Sequence, residues 1–146
     1  MMRFRRSFAA AIAGVALAVV LSGCGVFFPG PGSFDAVNLA AKQLKLVQVG
    51  HIEIQSRYGA TGPDHVAYLL TVISGDDADR LLDKTLKLHG YVSQGSSDGS
   101  QETWRGPKSS GVLAIVRPVK KGDLVSDGEA KYPRAPQDGV ALYLLG

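Results

Sequence analysis

Two hydrophobic patterns divide this chain at about residue 34. From Phe8 to Leu21 the residues are apolar or small for 14 positions without a charge. The run has no amphipathic period and falls short of the roughly 20 residues that a membrane-spanning helix needs. Gly25 to Ser33 is interrupted by glycine and proline, which block regular structure and predict a tether. Periodic signals begin at Phe34. Within 34–44, Val37, Ala40, Ala41 and Leu44 recur at i, i+3, i+4 and i+7, which predicts a helix with Ser33 placed to cap it. Ile52, Ile54, Ser56 and Tyr58 then alternate with His51, Glu53, Gln55 and Arg57, the pattern of a strand with one wet face. Val47 and Val49 lie in the opposite phase, so a β-bulge or strand break is predicted at Gly50. Gly59 to Asp64 has turn composition, and Val66 to Ile73, apolar on both faces, predicts a central strand.

The plainest helical period runs from Asp77 to His89, where Ala78, Leu81, Leu82, Thr85, Leu86 and His89 share one face. Ser74 or Asp76 is placed to cap it. Asp76, Asp77 and Asp79 suit the positive end of the helix dipole, and Lys87 and His89 suit the other. Gly90 is the expected positive-φ residue beyond the helix end. Tyr91–Gln94 and Gln101–Arg105 flank a polar loop and predict a hairpin. Val112–Arg117 is a further strand expected to stop at Pro118. Lys120 to Asp138 is polar, contains Pro133 and Pro136, and reads as a long loop, ordered or mobile. Val140–Leu145 is apolar enough to belong inside a sheet. The order helix–β–β–α–β–β–β–β, with mostly sequential hairpins, predicts an α+β fold. Its form is a mainly antiparallel sheet with one main helix packed on one face, in two layers.

The apolar N-terminal run gains meaning from its flanks. Arg3, Arg5 and Arg6 precede it, Leu21-Ser22-Gly23-Cys24 closes it, and Cys24 is the only cysteine. Basic residues, a short apolar stretch and small residues before a cysteine resemble a bacterial lipoprotein signal peptide with its lipobox. The resemblance implies that Leu21, Ser22 and Gly23 are recognised by the signal peptidase and that the Cys24 thiol receives a diacylglyceryl group. Cleavage would then make Cys24 the new N-terminus, often acylated again, for example with palmitate. The expected division is a cleaved signal peptide over 1–23, the lipidated cysteine and tether over 24–33, and a single α+β domain over 34–146. The expected location is the extracytoplasmic face of the cell membrane. At about 0.8 kcal/mol per buried methylene, one acyl chain holds marginally and two or three hold stably.

An uncleaved anchor over residues 8–28, or an ordinary secretory signal with a free Cys24, are the competing readings. A buried structural cysteine does not suit neighbours that are glycine and proline. Arg5-Arg6-Ser7-Phe8 also resembles a twin-arginine export motif, which leaves the export route open between that and general secretion. Beyond the lipobox, the tether, the Arg57-Tyr58-Gly59 turn and the capped helix before a Trp-bearing hairpin look like the small lipoproteins of actinobacteria. That group, of unknown function, implies an address and no activity.

Processing also changes the electrostatic picture. The whole chain carries 16 basic and 13 acidic residues, a net charge of +3. Arg3, Arg5 and Arg6 leave with the signal, so residues 24–146 carry 13 of each and no net charge. The basic sequence pI of about 9.1 therefore gives no support for a nucleic-acid partner. Those 123 residues suit one domain with one core. Without a second cysteine, packing alone must stabilise it.

Candidate chemistry is sparse. His51, His65 and His89 are the only histidines, and none lies at helical spacing from another. No metal ligand set and no cofactor motif is legible. There is no Gly-x-Ser-x-Gly elbow, and Ser97 sits in what reads as a solvated loop. Asp76, Asp77, Asp79 and Asp83 lack the glycine and distal glutamate of a calcium loop. Trp104 with Tyr91 is either a contact patch for a partner or glycan, or a cover on the core. Lys120, Lys121, Lys131 and Arg134 give the 120–138 segment a basic bias suited to anionic headgroups or to plain solvation. Val26, Phe27 and Phe28 either dip into the membrane interface or pack on the domain.

These features lead to three expectations. The first is a non-enzymatic, lipid-anchored envelope domain that binds or scaffolds an envelope protein. The second is a carrier or sensor for a small apolar ligand or lipid, with Leu81, Leu82 and Leu86 lining one wall. The third is an envelope enzyme whose residues, such as His51 or His65 with a carboxylate, converge only in space.

Overall fold

In the computed structural model of the chain, residues 34–59, 67–96, 98–125 and 133–146 are described. The lipobox residues Leu21, Ser22, Gly23 and Cys24, the tether with Ser33, and His65, Ser97 and Lys131 lie outside them. The first helix, α1 (Phe34–Leu44), buries Ala36, Val37, Ala40 and Leu44. Lys45 ends it in a left-handed conformation, φ 48° and ψ 53°, and a 3-10 turn, Leu46–Gln48, follows. The turn buries Leu46 and Val49 and leaves Val47 exposed. The opposed phase of Val47 and Val49 thus comes from a turn and not from an upstream strand.

Strand β1 (His51–Tyr58) starts immediately after Gly50. A Cβ on Gly50 would collide with the backbone carbonyl of Ser74, and one on Gly139 with that of Ile73, so glycine permits close approach at both positions. The bulge itself lies further on, between Ile52 and Ile54. It leaves Glu53 unpaired and sends Ile52 and Ile54 to opposite faces of the sheet. The strand therefore does not present one continuous apolar face.

Next come β2 (Tyr68–Ser74), α2 (Ala78–Leu88), β3 (Val92–Gly95), β4 (Glu102–Arg105), β5 (Leu113–Val119) and β6 (Gly139–Leu145). The six strands form one sheet in the order β1-β2-β6-β5-β4-β3, and every neighbouring pair is antiparallel. The fold is α+β, an antiparallel sheet with helix packed on one face. The β1–β2, β3–β4 and β4–β5 pairs are sequential hairpins, but β6 inserts between β2 and β5 and departs from a purely sequential order. Its apolar sequence, with Val140, Ala141, Leu142 and Leu144 all buried, fits a strand paired on both sides.

Pro118 does not stop β5; it pairs with Val140 of β6. On the other flank, β4 pairs no further than Val116, so a residue without N–H costs no ladder bond beyond that point. Helix α2 has Asp77 at its N-cap position, but its side chain makes no capping bond and instead pairs with Arg80. Neither Ser74 nor Asp76 fills that position. Ala78, Leu82 and Leu86 are buried, Leu81 and Thr85 are half-buried, and His89, expected on the same face, is exposed at the C-cap. Gly90 has the expected positive φ of 80°.

The main core joins α1 and α2 to one face of the sheet, with Leu82, Leu86, Ile73, Val140, Leu142, Leu144 and Trp104 fully or almost fully buried. A second, smaller core lies on the opposite face, where Leu70, Val72, Val119 and Ala141 meet Val125 and Ala135. Those last two belong to the 120–138 segment. Its described arms run antiparallel, through Ala135 N–H to the Asp123 carbonyl at 2.8 Å and Val125 N–H to the Pro133 carbonyl at 3.1 Å. No described helix is long and apolar enough to cross a membrane.

Candidate functional site

A cleft of about 480 Å³ opens between α1, the 3-10 turn and the edge strand β1. Its first wall is the α1 stripe Asn38, Ala41 and Lys42, continued by Lys45, which adjoins the stripe that packs on the sheet. The left-handed residue and 3-10 turn add Lys45, Leu46, Val47 and Gln48. The second wall is Ile52, Gln55 and Arg57 of β1, with Leu69 of β2 between the walls.

The bulge at Glu53 decides which β1 side chains reach this cleft. Unbroken alternation from Ile52 would place Gln55 and Arg57 on the opposite face. The added residue reverses that phase. Gln55 now pairs across from Thr71 and Arg57 from Leu69, whose side chain belongs to the helix-side core. Gln55 Nε2 donates to Thr71 Oγ1 at 3.4 Å, which accounts for a fully buried threonine among the apolar residues Leu69 to Ile73.

Three cations line the cleft, Lys42, Lys45 and Arg57, together with the amides of Asn38, Gln48 and Gln55, and no carboxylate is among the described residues that line it. None of the three takes part in the ion pairs among the described residues, which join Arg80 to Asp77, Lys87 to Asp83 and Lys120 to Asp138. Glu53, the acidic residue of β1, accepts a hydrogen bond from Ser74 Oγ at 2.5 Å. Like charges gathered along a concave surface raise the potential there and draw an anion. The apolar carbons of Ala41, Leu46, Ile52 and Leu69 give the cleft a second, hydrophobic character.

The other positions raised by the sequence lie apart from this cleft. His51 is exposed at the start of β1, and His89 is exposed at the end of α2. Among the described residues no group of three or more His, Cys, Asp or Glu is placed to hold a metal. Leu82 and Leu86 are packed in the core, and neither they nor Leu81 lines any of the described cavities. Trp104 and Tyr91 belong to the core and form no exposed patch; Lys87 Nζ lies 5.7 Å from the Trp104 ring centre. Burial pushes the Tyr91 hydroxyl up to about 12.

Two of the four aspartates of the α2 region, Asp77 and Asp83, pair with basic residues of the same helix. Arg80 donates to Asp77 and holds its carboxyl below the ordinary value, and Asp83 pairs with Lys87 at 2.8 Å. In the β3–β4 loop, Asp98 accepts from the hydroxyl and backbone N–H of Ser100, which lowers its pKa. In the 120–138 segment, Lys120 pairs with Asp138, and Arg134 Nη1 donates to the Gly122 carbonyl at 2.7 Å. The basic bias of this segment is therefore partly spent on holding its own shape.

Sequence periodicity alone did not bring Lys42, Lys45 and Arg57 together. One signal was legible: residues 36–52 hold two lysines and no acidic residue. Arg57 carried no such sign, because its alternation assigned it to a wet strand face. No protein-family model, curated protein or solved structure matches the chain. The chemistry of the site therefore rests on its own residues.

Proposed function

We propose that this protein is a lipid-anchored cell-envelope domain that binds its ligand without transforming it. The acylated Cys24 would hold it on the extracytoplasmic face, and the cleft between α1 and β1 would be the binding site. The observation that carries the reading is the composition of that cleft: cationic and amide donors beside apolar carbons, with no histidine, serine, cysteine or carboxylate among the described residues that line it. Such a lining is equipped to recognise and hold. Histidine, serine, cysteine and carboxylates are the commonest general bases and nucleophiles, and the two lysines of the cleft, Lys42 and Lys45, are solvent-exposed and not desolvated as a catalytic amine would be.

The anchor reading gains support from chain length. Helix α1, which forms one wall, begins ten residues after Cys24. The nine residues between them reach about 30 Å when fully extended, at roughly 3.3–3.6 Å each. The cleft would stay close to the membrane that holds the lipid.

Replacing Cys24 with Ser tests the anchor. Acyl labelling should disappear and the protein should leave the membrane fraction or stall as precursor. Unchanged membrane retention would support an uncleaved anchor instead. Crosslinking in intact cells, from a photoreactive residue at Val47 on the rim of the cleft, tests the binding role. A saturable, competed adduct is expected, whereas a cleft that captures nothing above background would remove this reading.

A further inference from the structure

We propose that the α1–β1 cleft recognises a phosphomonoester group carried on a small apolar body. The proposal rests on the binding role assigned to this cleft above and names the class of ligand. Lys42, Lys45 and Arg57 line one cleft of about 480 Å³ with no carboxylate among the described lining residues. A phosphomonoester carries about −1.5 to −2 charges at neutral pH and offers three strong acceptor oxygens. It would offset about half to two thirds of that positive charge, where a carboxylate would offset about one third. Arginine presents a planar fork of donors suited to phosphate oxygens, and the two lysines supply compact charges.

The shape of the lining adds the apolar half. Leu46, Ile52 and Leu69 stand among the polar residues, so a ligand that fills the cleft must bury hydrocarbon beside its anion. The volume lies in the usual range for small-molecule sites, about 300–1,000 Å³.

Backbone strain gives a separate indication. Lys45 is the one described non-glycine residue with positive φ. Glycine or asparagine would occupy that left-handed position at lower cost. A lysine stands there instead, in the lining of a cleft that holds two further cations. Strain retained at such a place fits a functional side chain. The rival account is a solvated edge strand whose charges only deter pairing with another sheet.

The test is isothermal titration calorimetry on the full chain held in phosphatidylcholine nanodiscs at low salt. The probes are inorganic phosphate and monomeric dihexanoyl phosphatidic acid, with dihexanoyl phosphatidylcholine as the control. Saturable one-to-one binding of phosphatidic acid, at least about tenfold tighter than inorganic phosphate, assigns the ligand to a lipid source. Equal saturable binding of the two overturns the apolar half of the proposal and leaves a site for the phosphate group alone. Absence of saturable binding, or equal binding of the phosphatidylcholine probe, overturns the proposal.

Lys42→Gln, Lys45→Gly and Arg57→Gln should each weaken binding about tenfold, the size of one charge-assisted hydrogen bond. All three side chains belong to exposed residues, so the fold should persist. Lys45→Gly should also raise the melting temperature while it lowers affinity, a pairing that a purely structural lysine would not produce. Lys108, exposed and outside the cleft, is the control. An equal loss with Lys108→Gln would mark the binding as non-specific and overturn the site. Acyl labelling of Cys24 on the same preparations separates the two readings. Phosphate binding without acylation removes the anchor alone, and acylation without phosphate binding removes only this ligand.

Discussion

The two faces of the sheet are buried by different means. On one, α1 and α2 lay apolar stripes across β2, β6, β5 and β4, and the core runs from Val37 to Trp104. On the other, a single polar segment folds back and inserts two residues, Val125 and Ala135, over Leu70, Val72, Val119 and Ala141. The first cover is made of regular structure whose own hydrogen bonds are internal. The second depends on cross-links between loop and sheet: Tyr143 donates its hydroxyl to the Val125 carbonyl, and Arg117 donates to the Leu124 carbonyl at 2.6 Å. Helical burial should therefore carry most of the stability. The opposite face should respond to small changes in the segment that covers it.

The largest expected effect is on the helix side. Leu82→Ala, at a fully buried position, should cost about 2–5 kcal/mol in a denaturant melt, from lost transfer energy and the cavity left behind. Val125→Ala, also fully buried, removes two methyl equivalents at about 0.8 kcal/mol each and should cost about 1–2 kcal/mol. Its lower value also reflects a segment able to relax into the space. Equal losses from the two substitutions would break the contrast between the faces. Tyr143→Phe removes one hydrogen bond on the second face and should cost about 1 kcal/mol, with faster hydrogen exchange at Val125 and Ala135 than at Leu82.

The smallest effects are in pH dependence, and the two faces should differ in its direction. Burial raises Tyr91 from 10.0 to about 12 in the folded state. A raised folded pKa contributes stability that is complete below 10.0 and declines as pH rises through about 12. Asp138 behaves oppositely. The Lys121 N–H, at 2.8 Å, and then Lys120 lower it below 3.8. Its contribution is present above 3.8 and is lost as pH falls through the folded value. Tyr91→Phe should flatten the alkaline limb of a stability profile and Asp138→Asn the acid limb. Unchanged limbs in both variants would show that neither face is tied to these groups.

The parts of the fold legible in the sequence were those where local pattern and tertiary environment agree. The period of Asp77–His89 marked α2 because Ala78, Leu82 and Leu86 meet a sheet at helical spacing. Val140–Leu145 marked an interior strand because both of its faces are buried. The errors came where one residue resets a phase or where a neighbour is set by distant chain. Alternation through Ile52 and Ile54 concealed the bulge at Glu53. Pro118 was expected to end a strand, yet it is tolerated because β4 is too short to reach it.

The sequence by itself determined the two helices, the apolar central strands and the turn at Gly90. These follow from side-chain periodicity and glycine's freedom at positive φ, which are local physical facts. It also carried the lipobox resemblance of Leu21 to Cys24, whose consequences rest on the proposed anchor. Tertiary structure alone decided that β6 lies between β2 and β5 and that Val125 closes a second core. It also decided that Arg57 turns toward Lys42 and Lys45. Sheet order, loop docking and the face a strand presents after a bulge depend on contacts between residues far apart in the chain. No spacing within a single segment encodes them.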